Sequence, residues 1–469
     1  MDFYHFKVII GLDFYYLVCI FGLDFYHLYM YLERKVDFEL VSWKEAKNRK
    51  PLILRGARQI GKSSAVRNLG KKFNYFIEIN LDENLQLRTL FEDELTVLEI
   101  VEQLSIITNT PIIPGETLLF IDEIQACIPA ISSLRYFYEK LPDLHVIAAG
   151  SLLEFALSEI PSFGVGRVRH LFMYPFSFEE FLLANKENAL LNALNKATTS
   201  KPLSEILHTK IKKYLKKFLV VGGMPEAVKT YVSEGNLIEV QRVLDDLILS
   251  IQADFSKYKN RVPALRIKEV FEAVVQQIGT KFTYTYPNAT LSNIQIKEAL
   301  LLLEMAGLVY SVTHSASNGI PLGAEINTKK RKMLLFDTGI YQRIVGLDIG
   351  ILLLEEDVKV INRGNITELF VGLELIKNTS CYEKTDLYYW QREAKNSQAE
   401  IDYIIQKQEH IIPLEVKAGT KGSMQSMYLF LAEKNKEFGI RLSMENFSEI
   451  EKVKIFPIYA VRNLFEVKH

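Results

Sequence analysis

The sequence predicts a multidomain α/β protein built around a phosphate-binding loop. Three observations carry this. Residues 56–63, GARQIGKS, fill every fixed position of GxxxxGK[ST]. The apolar run PLIL (51–54) enters that loop as a strand, and the helix-competent stretch SSAVRNLGKKF (63–73) leaves it. A second apolar strand, TLLFIDEIQ (117–125), carries the paired carboxylates Asp122 and Glu123.

The loop is the most specific of these signals. Gly56 and Gly61 let the backbone turn so tightly that its N–H groups point into a concave nest, with a helix N-terminus beneath it. Gly56, Ala57, Arg58, Gln59, Ile60, Gly61, Lys62, Ser63 and Ser64 are therefore the expected contacts to ATP. Lys62 reaches the β- and γ-phosphates, and Ser63 holds magnesium. Asp122 is the second expected magnesium ligand, and Glu123 the group that polarises the attacking water. Phosphoryl transfer asks for this division between positioning and charge neutralisation. A further apolar strand, HVIAAGS (145–151), ends at Ser151, where a polar sensor of the γ-phosphate is expected. The following Gly-rich loop carries Arg167 and Arg169. One of them could act as an arginine finger, and ordinary surface arginines are the alternative.

Composition sets the outer limits. A chain of 469 residues with 48% hydrophobic content holds two to four packed domains. A formal net charge of -1 gives no whole-chain reason to expect nucleic acid. Cys19, Cys127 and Cys381 lie far apart, with neither zinc spacing nor a disulfide framework, which fits a reducing cytoplasm. Asp-Phe-Tyr recurs at Asp2, Asp13 and Asp24. Asp13 and Asp24 interrupt every window long enough for a membrane anchor, so no membrane association is expected. No small-residue cleavage site follows, which argues against a secretory signal. Residues 1–29 read best as a translated upstream repeat, with initiation at Met30.

Residues 175–260 read as helices. The stretch 208–223, HTKIKKYLKKFLVVGG, is amphipathic with a basic solvated face. Residues 261–347 suggest a winged helix: helices over 265–279 and 291–307, with Ser292 as N-cap and Gly307 as stop, then wing strands over 308–313 and 332–337. Asn293, Gln295 and Lys297 are the polar residues the second helix would offer to DNA. The run Lys329-Lys330-Arg331-Lys332 would either touch phosphates from the wing or form a solvated turn.

In the C-terminal part, AEIDYII (399–405) and IIPLEVKAG (411–419) alternate as two strands of a hairpin. Alternation puts Glu415 and Lys417 on one face, and pairing could bring Asp402 opposite them. Glu368, on the preceding helix pattern, could add a fourth group. Together they could hold magnesium beside an attacking water. A hairpin with a salt-bridged solvent face is the alternative.

These motifs, in this order, resemble the prokaryotic AAA-type ATPases, akin to signal-transduction ATPases, that carry a C-terminal domain of unknown function. The anchors are GARQIGKS, LLFIDEIQ, AAGS, GRVRHLFMYPFSFEEF, VVGGMPEAV, MLLFDTGIYQRIVG, EIDYII and PLEVKAG, and they run from about Tyr31 to the mid-430s. The resemblance implies an ATP-binding core over 30–174 and a helical lid over 175–260. By the same resemblance Gly223, Met224 and Pro225 of the lid are candidate nucleotide contacts. Residues 348–469 resemble the PD-(D/E)xK nuclease core, a restriction-endonuclease-like α/β domain, although Gln425 and Tyr428 do not follow the glutamine-tyrosine spacing of some nuclease relatives. The implied function is an Mg-dependent ATP hydrolase acting as a switch, whose C-terminal domain binds DNA or an unknown protein partner. The alternative is an ATP-controlled, metal-dependent DNA nuclease.

Overall fold

The computed structural model describes residues 31–93, 95–160, 166–258, 261–284, 291–347, 364–393, 399–419 and 423–466. The Asp-Phe-Tyr repeat lies outside the described residues. The first part is a five-stranded parallel sheet in the order β2-β3-β4-β1-β5. Helix α1 (Lys35–Glu45) precedes β1 (Leu52–Arg55), and α2 (Lys62–Gly70) follows the loop. β2 (Tyr75–Asn80), α3 (Leu85–Glu92), α4 (Val97–Thr108) and β3 (Thr117–Asp122) come next. They are followed by α5 (Ile128–Lys140), β4 (His145–Ala149), α6 (Leu153–Glu159) and β5 (Arg169–Phe172).

Strand alternation explains why this sheet is covered on both faces. Leu52 and Leu54 enter one apolar core, while Ile53 between them enters the other. β4 is wholly buried and lies between β1 and β3, pairing in parallel with both. The C-terminal ends of these three strands therefore adjoin. They carry the phosphate loop, Ser151, and Asp122-Glu123. The outer edge of β5 is covered: Phe172 N–H donates to the Cys381 carbonyl at 2.7 Å.

The helical segment is α7 (Phe178–Ala184), α8 (Asn188–Asn195), α9 (Glu205–Val221), α10 (Pro225–Glu234) and α11 (Leu237–Asp254). In α9, Ile211, Leu215 and Phe218 are buried, and the lysines lie between them. Next come α12 (Ala264–Gln276) and α13 (Asn293–Met305), where Ser292 caps α13 by accepting from the Gln295 N–H at 3.3 Å. Gly307, in the left-handed region, ends that turn.

The strand pair β6 (Val309–Ser315) and β7 (Ile326–Leu335) departs from the expected separate wing. β6 pairs in parallel with β8 (Leu387–Gln391), so the hairpin is the edge of an eight-stranded sheet ordered β12-β13-β11-β10-β9-β8-β6-β7. The expected boundary at 347/348 thus does not separate two sheets. α14 (Thr338–Ile344) and α15 (Gly364–Lys377) lie between β7 and β8. Beyond β8 come β9 (Glu400–Lys407), β10 (His410–Val416), α16 (Gln425–Glu433), β11 (Gly439–Ser443), β12 (Ser448–Ile450) and β13 (Val453–Pro457). α15 is apolar nearly all round and almost entirely buried, as such a helix must be. One apolar core runs from Val36 through the helical segment to Leu464, so the three parts pack against one another, while a second core lies on the other face of the first sheet and a third within the C-terminal part.

His145 shows how firmly the first sheet is sealed. Its ring packs edge-on to Trp43 and Phe73, and Nε2 lies 3.2 Å from the Lys44 carbonyl, so Nε2 carries the hydrogen. Burial lowers its pKa to about 4. In the unfolded chain histidine titrates near ~6.5. The unfolded state therefore binds the extra proton first, and His145 contributes stability that is full above ~6.5 and lost as pH falls towards 4. Urea denaturation at several pH values should show a smaller loss of stability over that window in His145→Phe than in the parent.

Candidate functional site

The phosphate loop is held from below. Gly56 sits at φ 141°, and a Cβ there would lie 2.2 Å from the Met173 carbonyl oxygen. Only glycine fits this position. Gly307 packs on the same loop, its absent Cβ 3.2 Å from the Ala57 nitrogen. The buried guanidinium of Arg34 completes the support. It donates to the Ile60 carbonyl at 3.2 Å and the Tyr174 carbonyl at 2.7 Å, pairs with Glu180 at 3.0 Å, and stacks 3.9 Å from the centre of the Phe176 ring. Glu180 in turn accepts from the Lys35 and Ser177 N–H groups, each at 2.8 Å. An isolated arginine ahead of a helix has no sequence signature, which is why Arg34 was not among the expected site residues.

Above the loop lies a cleft of about 920 Å³, lined among others by Arg58, Gln59, Gly61, Lys62, Ser63, Ser64, Asp122, Glu123, Ser151, Phe176 and Pro225. The volume suits a nucleotide. Lys62 folds back on the loop, donating to the Gly56 carbonyl at 2.9 Å and the Ala57 carbonyl at 2.7 Å. Burial lowers its pKa to about 8, with Glu123 and Asp122 opposing that shift. Added phosphate charge would favour the ammonium further. Ser63 Oγ donates to Asp122 Oδ2 at 2.6 Å. The two expected magnesium ligands thus already touch, and burial holds the Asp122 carboxyl above its ordinary pKa. This hydroxyl–carboxylate pair at the foot of a phosphate nest is a donor set that fits a hard divalent cation.

Glu123 adopts the left-handed conformation at φ 49° and is tied to neutral donors. Its Oε2 accepts from Gln125 Nε2 at 2.5 Å and from the Ser151 hydroxyl at 3.3 Å. Strand order brings Ser151 to Glu123, and Gln125 is a partner that sequence reasoning missed. Gly150 leaves room for it, since a Cβ there would lie 1.8 Å from Gln125 Oε1.

The other expected residues divide. Pro225 begins α10 and lines the cleft, together with Glu226 and Lys229 of the same helix. Met224 is fully buried. Gly223 is not among the lining residues. It is a joint: its N–H donates to Asp337 at 2.6 Å, and its carbonyl accepts from the Phe176 N–H at 2.7 Å. Arg167 does not line the cleft either. It is half-exposed and pairs with Glu139 of α5. Arg169 lies on β5 with its guanidinium 5.6 Å from the Tyr382 ring centre. Neither arginine is brought to the cleft of its own chain.

The C-terminal residues do converge. β9 and β10 pair antiparallel with Leu414 opposite Tyr403, so the next positions, Glu415 and Asp402, come face to face. Asp402 Oδ2 accepts from the Val416 N–H at 2.7 Å, and Lys417 bonds Glu415 at 2.7 Å. Glu368 of α15 joins them through Lys332, whose ammonium lies 2.9 Å from Glu368, 2.5 Å from Glu400 and 3.7 Å from Asp402. The basic run is therefore not a solvated wing loop. Residues 329–332 lie within β7 because Arg331 and Lys332 pair with Thr313 and Val312 of β6. Lys330 pairs with Glu393 at 2.7 Å, Arg331 lies 3.9 Å from Glu304, and Lys332 is buried. Among the described residues no group of three or more His, Cys, Asp or Glu side chains is arranged to hold a metal. Among them, too, no helix is long and apolar enough to cross a membrane.

The Arg34–Glu180 pair gives a direct test of loop support. Removing one partner of a buried ion pair leaves the other uncompensated. Arg34→Met should cost about 3–5 kcal/mol in urea denaturation, and Arg34→Met/Glu180→Gln should recover most of it. Calorimetric titration with ATP should show weakened binding in both, because the Ile60 carbonyl loses its donor.

Three family models match successive parts of the chain: an AAA domain at residues 48–182, a domain of unknown function (DUF8612) at 212–349, and another (DUF4143) at 363–461. No curated protein matches the sequence. Among solved structures, the Aeropyrum pernix ORC1 protein in complex with DNA is similar at 12% identity and TM-score 0.26, covering 69% of this chain and 93% of that one. Drosophila ORC bound to DNA is similar at 14% identity and TM-score 0.26, covering 66% and 85%. Unliganded Pif1 from Bacteroides sp. is similar at 14% identity and TM-score 0.20, covering 36% and 50%. At these scores the likenesses carry no functional argument. The five-stranded parallel sheet, the phosphate loop and the matching model together make residues 48–182 an AAA-type ATPase domain.

Proposed function

We propose that the protein is a magnesium-dependent ATP hydrolase that works as a nucleotide-controlled switch, with its C-terminal region binding a partner. The observation that carries this reading is the joined set Lys62, Ser63, Asp122, Glu123 and Ser151 around one cleft. The loop N–H groups and Lys62 would hold the β- and γ-phosphates. Ser63 and Asp122 would hold magnesium, which neutralises the charge that develops on the phosphoryl oxygens. Glu123 would leave Gln125 to orient the attacking water, with Ser151 reporting the γ-phosphate. Lys62 must first give up the Gly56 and Ala57 carbonyls, which ties nucleotide entry to a change in the loop.

The switch reading rests on what faces the loop. Pro225, Glu226 and Lys229 close one side of the cleft from α10. The Gly223 joint connects that helix to Phe176 and to Asp337 of the C-terminal part. Nucleotide that binds the closed arrangement better than the open one shifts the balance between them.

A second reading, an ATP-controlled DNA nuclease, is supported by the meeting of Glu368, Asp402, Glu415 and Lys417. A partner-binding role is favoured because an ammonium lies among those carboxylates. DNA remains a candidate partner for residues 261–347, through the exposed side chains of Asn293 and Lys297 on α13.

Phosphate-release assays separate the roles in the cleft. Lys62→Ala should lose ATP binding and turnover. Glu123→Gln should still bind ATP but hydrolyse it at least about 10²-fold more slowly. Undiminished turnover in both variants would contradict the assignment.

A further inference from the structure

The carboxylate pocket of the C-terminal sheet already contains a cation. We propose that the ammonium of Lys332 is the resident cation of the pocket formed by Glu368, Glu400 and Asp402, fills the position a divalent metal would need, and makes this part of the protein a metal-independent binding module rather than a nuclease. The proposal deepens the reading of the C-terminal region as a partner-binding module and rests on that reading, but not on the roles assigned in the nucleotide cleft.

Geometry is the first support. A metal bridging Glu368 and Asp402 would need oxygens of both within ~2.0–2.6 Å of one centre. Lys332 Nζ lies 2.9 Å from Glu368, 2.5 Å from Glu400 and 3.7 Å from Asp402, so it stands among the same oxygens. It also lies 5.3 Å from the centre of the Tyr389 ring. An ammonium has three hydrogens and accepts nothing, and a group of acidic oxygens with an aromatic face answers that need.

Fixation is the second. The Lys332 side chain is 3% exposed. Its backbone is locked on both sides, to Val312 of β6 and by an antiparallel bridge to Lys281. The neighbouring carboxylates hold the ammonium far above its ordinary pKa despite burial. Swinging it into solvent would strip Glu368 of its cation and leave Glu400 and Asp402 with their weaker partners alone. A divalent ion could enter only against that fixed like charge.

The rest of the pocket is already spoken for. Asp402 uses its other oxygen on the Val416 N–H, and Glu400 is shared with Lys281 at 3.6 Å. Glu415 gives one oxygen to Lys417, and its buried Oε2 has no hydrogen-bond partner. That orphaned oxygen is a feature of the pocket that points to a missing ligand. It would become one arm of a metal site only once the lysine is gone.

The test uses Mn²⁺ alone, without nucleotide, read by the EPR signal of the free ion over full-length protein. Four proteins are compared: the parent, Asp402→Asn, Lys332→Met/Glu400→Gln, and the latter with Asp402→Asn added. The paired change keeps net charge constant, which Lys332→Met alone would not. Subtracting the Asp402→Asn titration removes Mn²⁺ held at Ser63 and Asp122. The parent should show no Asp402-dependent Mn²⁺ binding. Lys332→Met/Glu400→Gln should gain an Asp402-dependent site at least about tenfold tighter than any in the parent. Asp402-dependent binding by the parent, with Asp402→Asn hydrolysing ATP as the parent does, would overturn the proposal. So would a folded charge-matched variant that gains no site, or Mn²⁺-dependent plasmid nicking by the parent that Asp402→Asn abolishes. ATP hydrolysis by the same preparations reports on the cleft alone, so a failure there is distinguishable from a failure here.

Discussion

Three consecutive residues, Phe176 to Phe178, hold the molecule together. The Phe176 ring lines the cleft and lies under Arg34, which braces the phosphate loop. Its N–H donates to the Gly223 carbonyl, and its carbonyl accepts from Lys377 at 2.9 Å. The Phe178 N–H donates to Glu374 at 3.2 Å, and Glu374 pairs with Lys377 at 3.6 Å. ATPase core, helical segment and C-terminal part thus meet on adjacent peptide groups. Apart from the part-buried Lys377 bond these contacts are buried, so the backbone groups must find partners there and cannot be released singly without loss.

This arrangement suits coupling. α15 carries Glu374 and Lys377 at its end near the cleft and Glu368 in the carboxylate pocket. Gly223 stands between Asp337 and Phe176 with no room for a Cβ, which would lie 2.4 Å from the Phe176 carbonyl oxygen. A displacement of α10 around nucleotide would therefore press on both neighbours. Packed interfaces of this kind tend to move between discrete arrangements rather than deform smoothly. The continuous core from Val36 to Leu464 is the physical reason the parts are not free to move as independent domains.

The parts legible in the sequence were those governed by local chemistry. The loop glycines, the strand ending at Asp122, the cap at Ser292 and the hairpin around residues 408–409 each follow from short-range rules, and the structure has the elements where those rules put them. What escaped was set by long-range pairing. Nothing local says that β6 would pair with β8 and join two expected domains into one sheet. Lys332 reads as one of four basic residues in a row, and only strand pairing with β6 turns it inward to the carboxylates. Arg34 and Gln125 work through partners far along the chain or across a turn, and leave no spacing to read. Gly223, a candidate nucleotide contact by resemblance, is held by a constraint the sequence does not show, the close approach of the Phe176 backbone.

The central claim is that nucleotide in the cleft is felt at α15 through the Phe176–Phe178 joint. Hydrogen–deuterium exchange of the full chain, with and without ATP and magnesium, tests it most directly. The account predicts slower exchange in residues 56–63 and 222–229 on binding, together with a change in residues 174–178 and 364–377. Protection confined to the phosphate loop, with exchange in 174–178 and 364–377 unaltered, would contradict it.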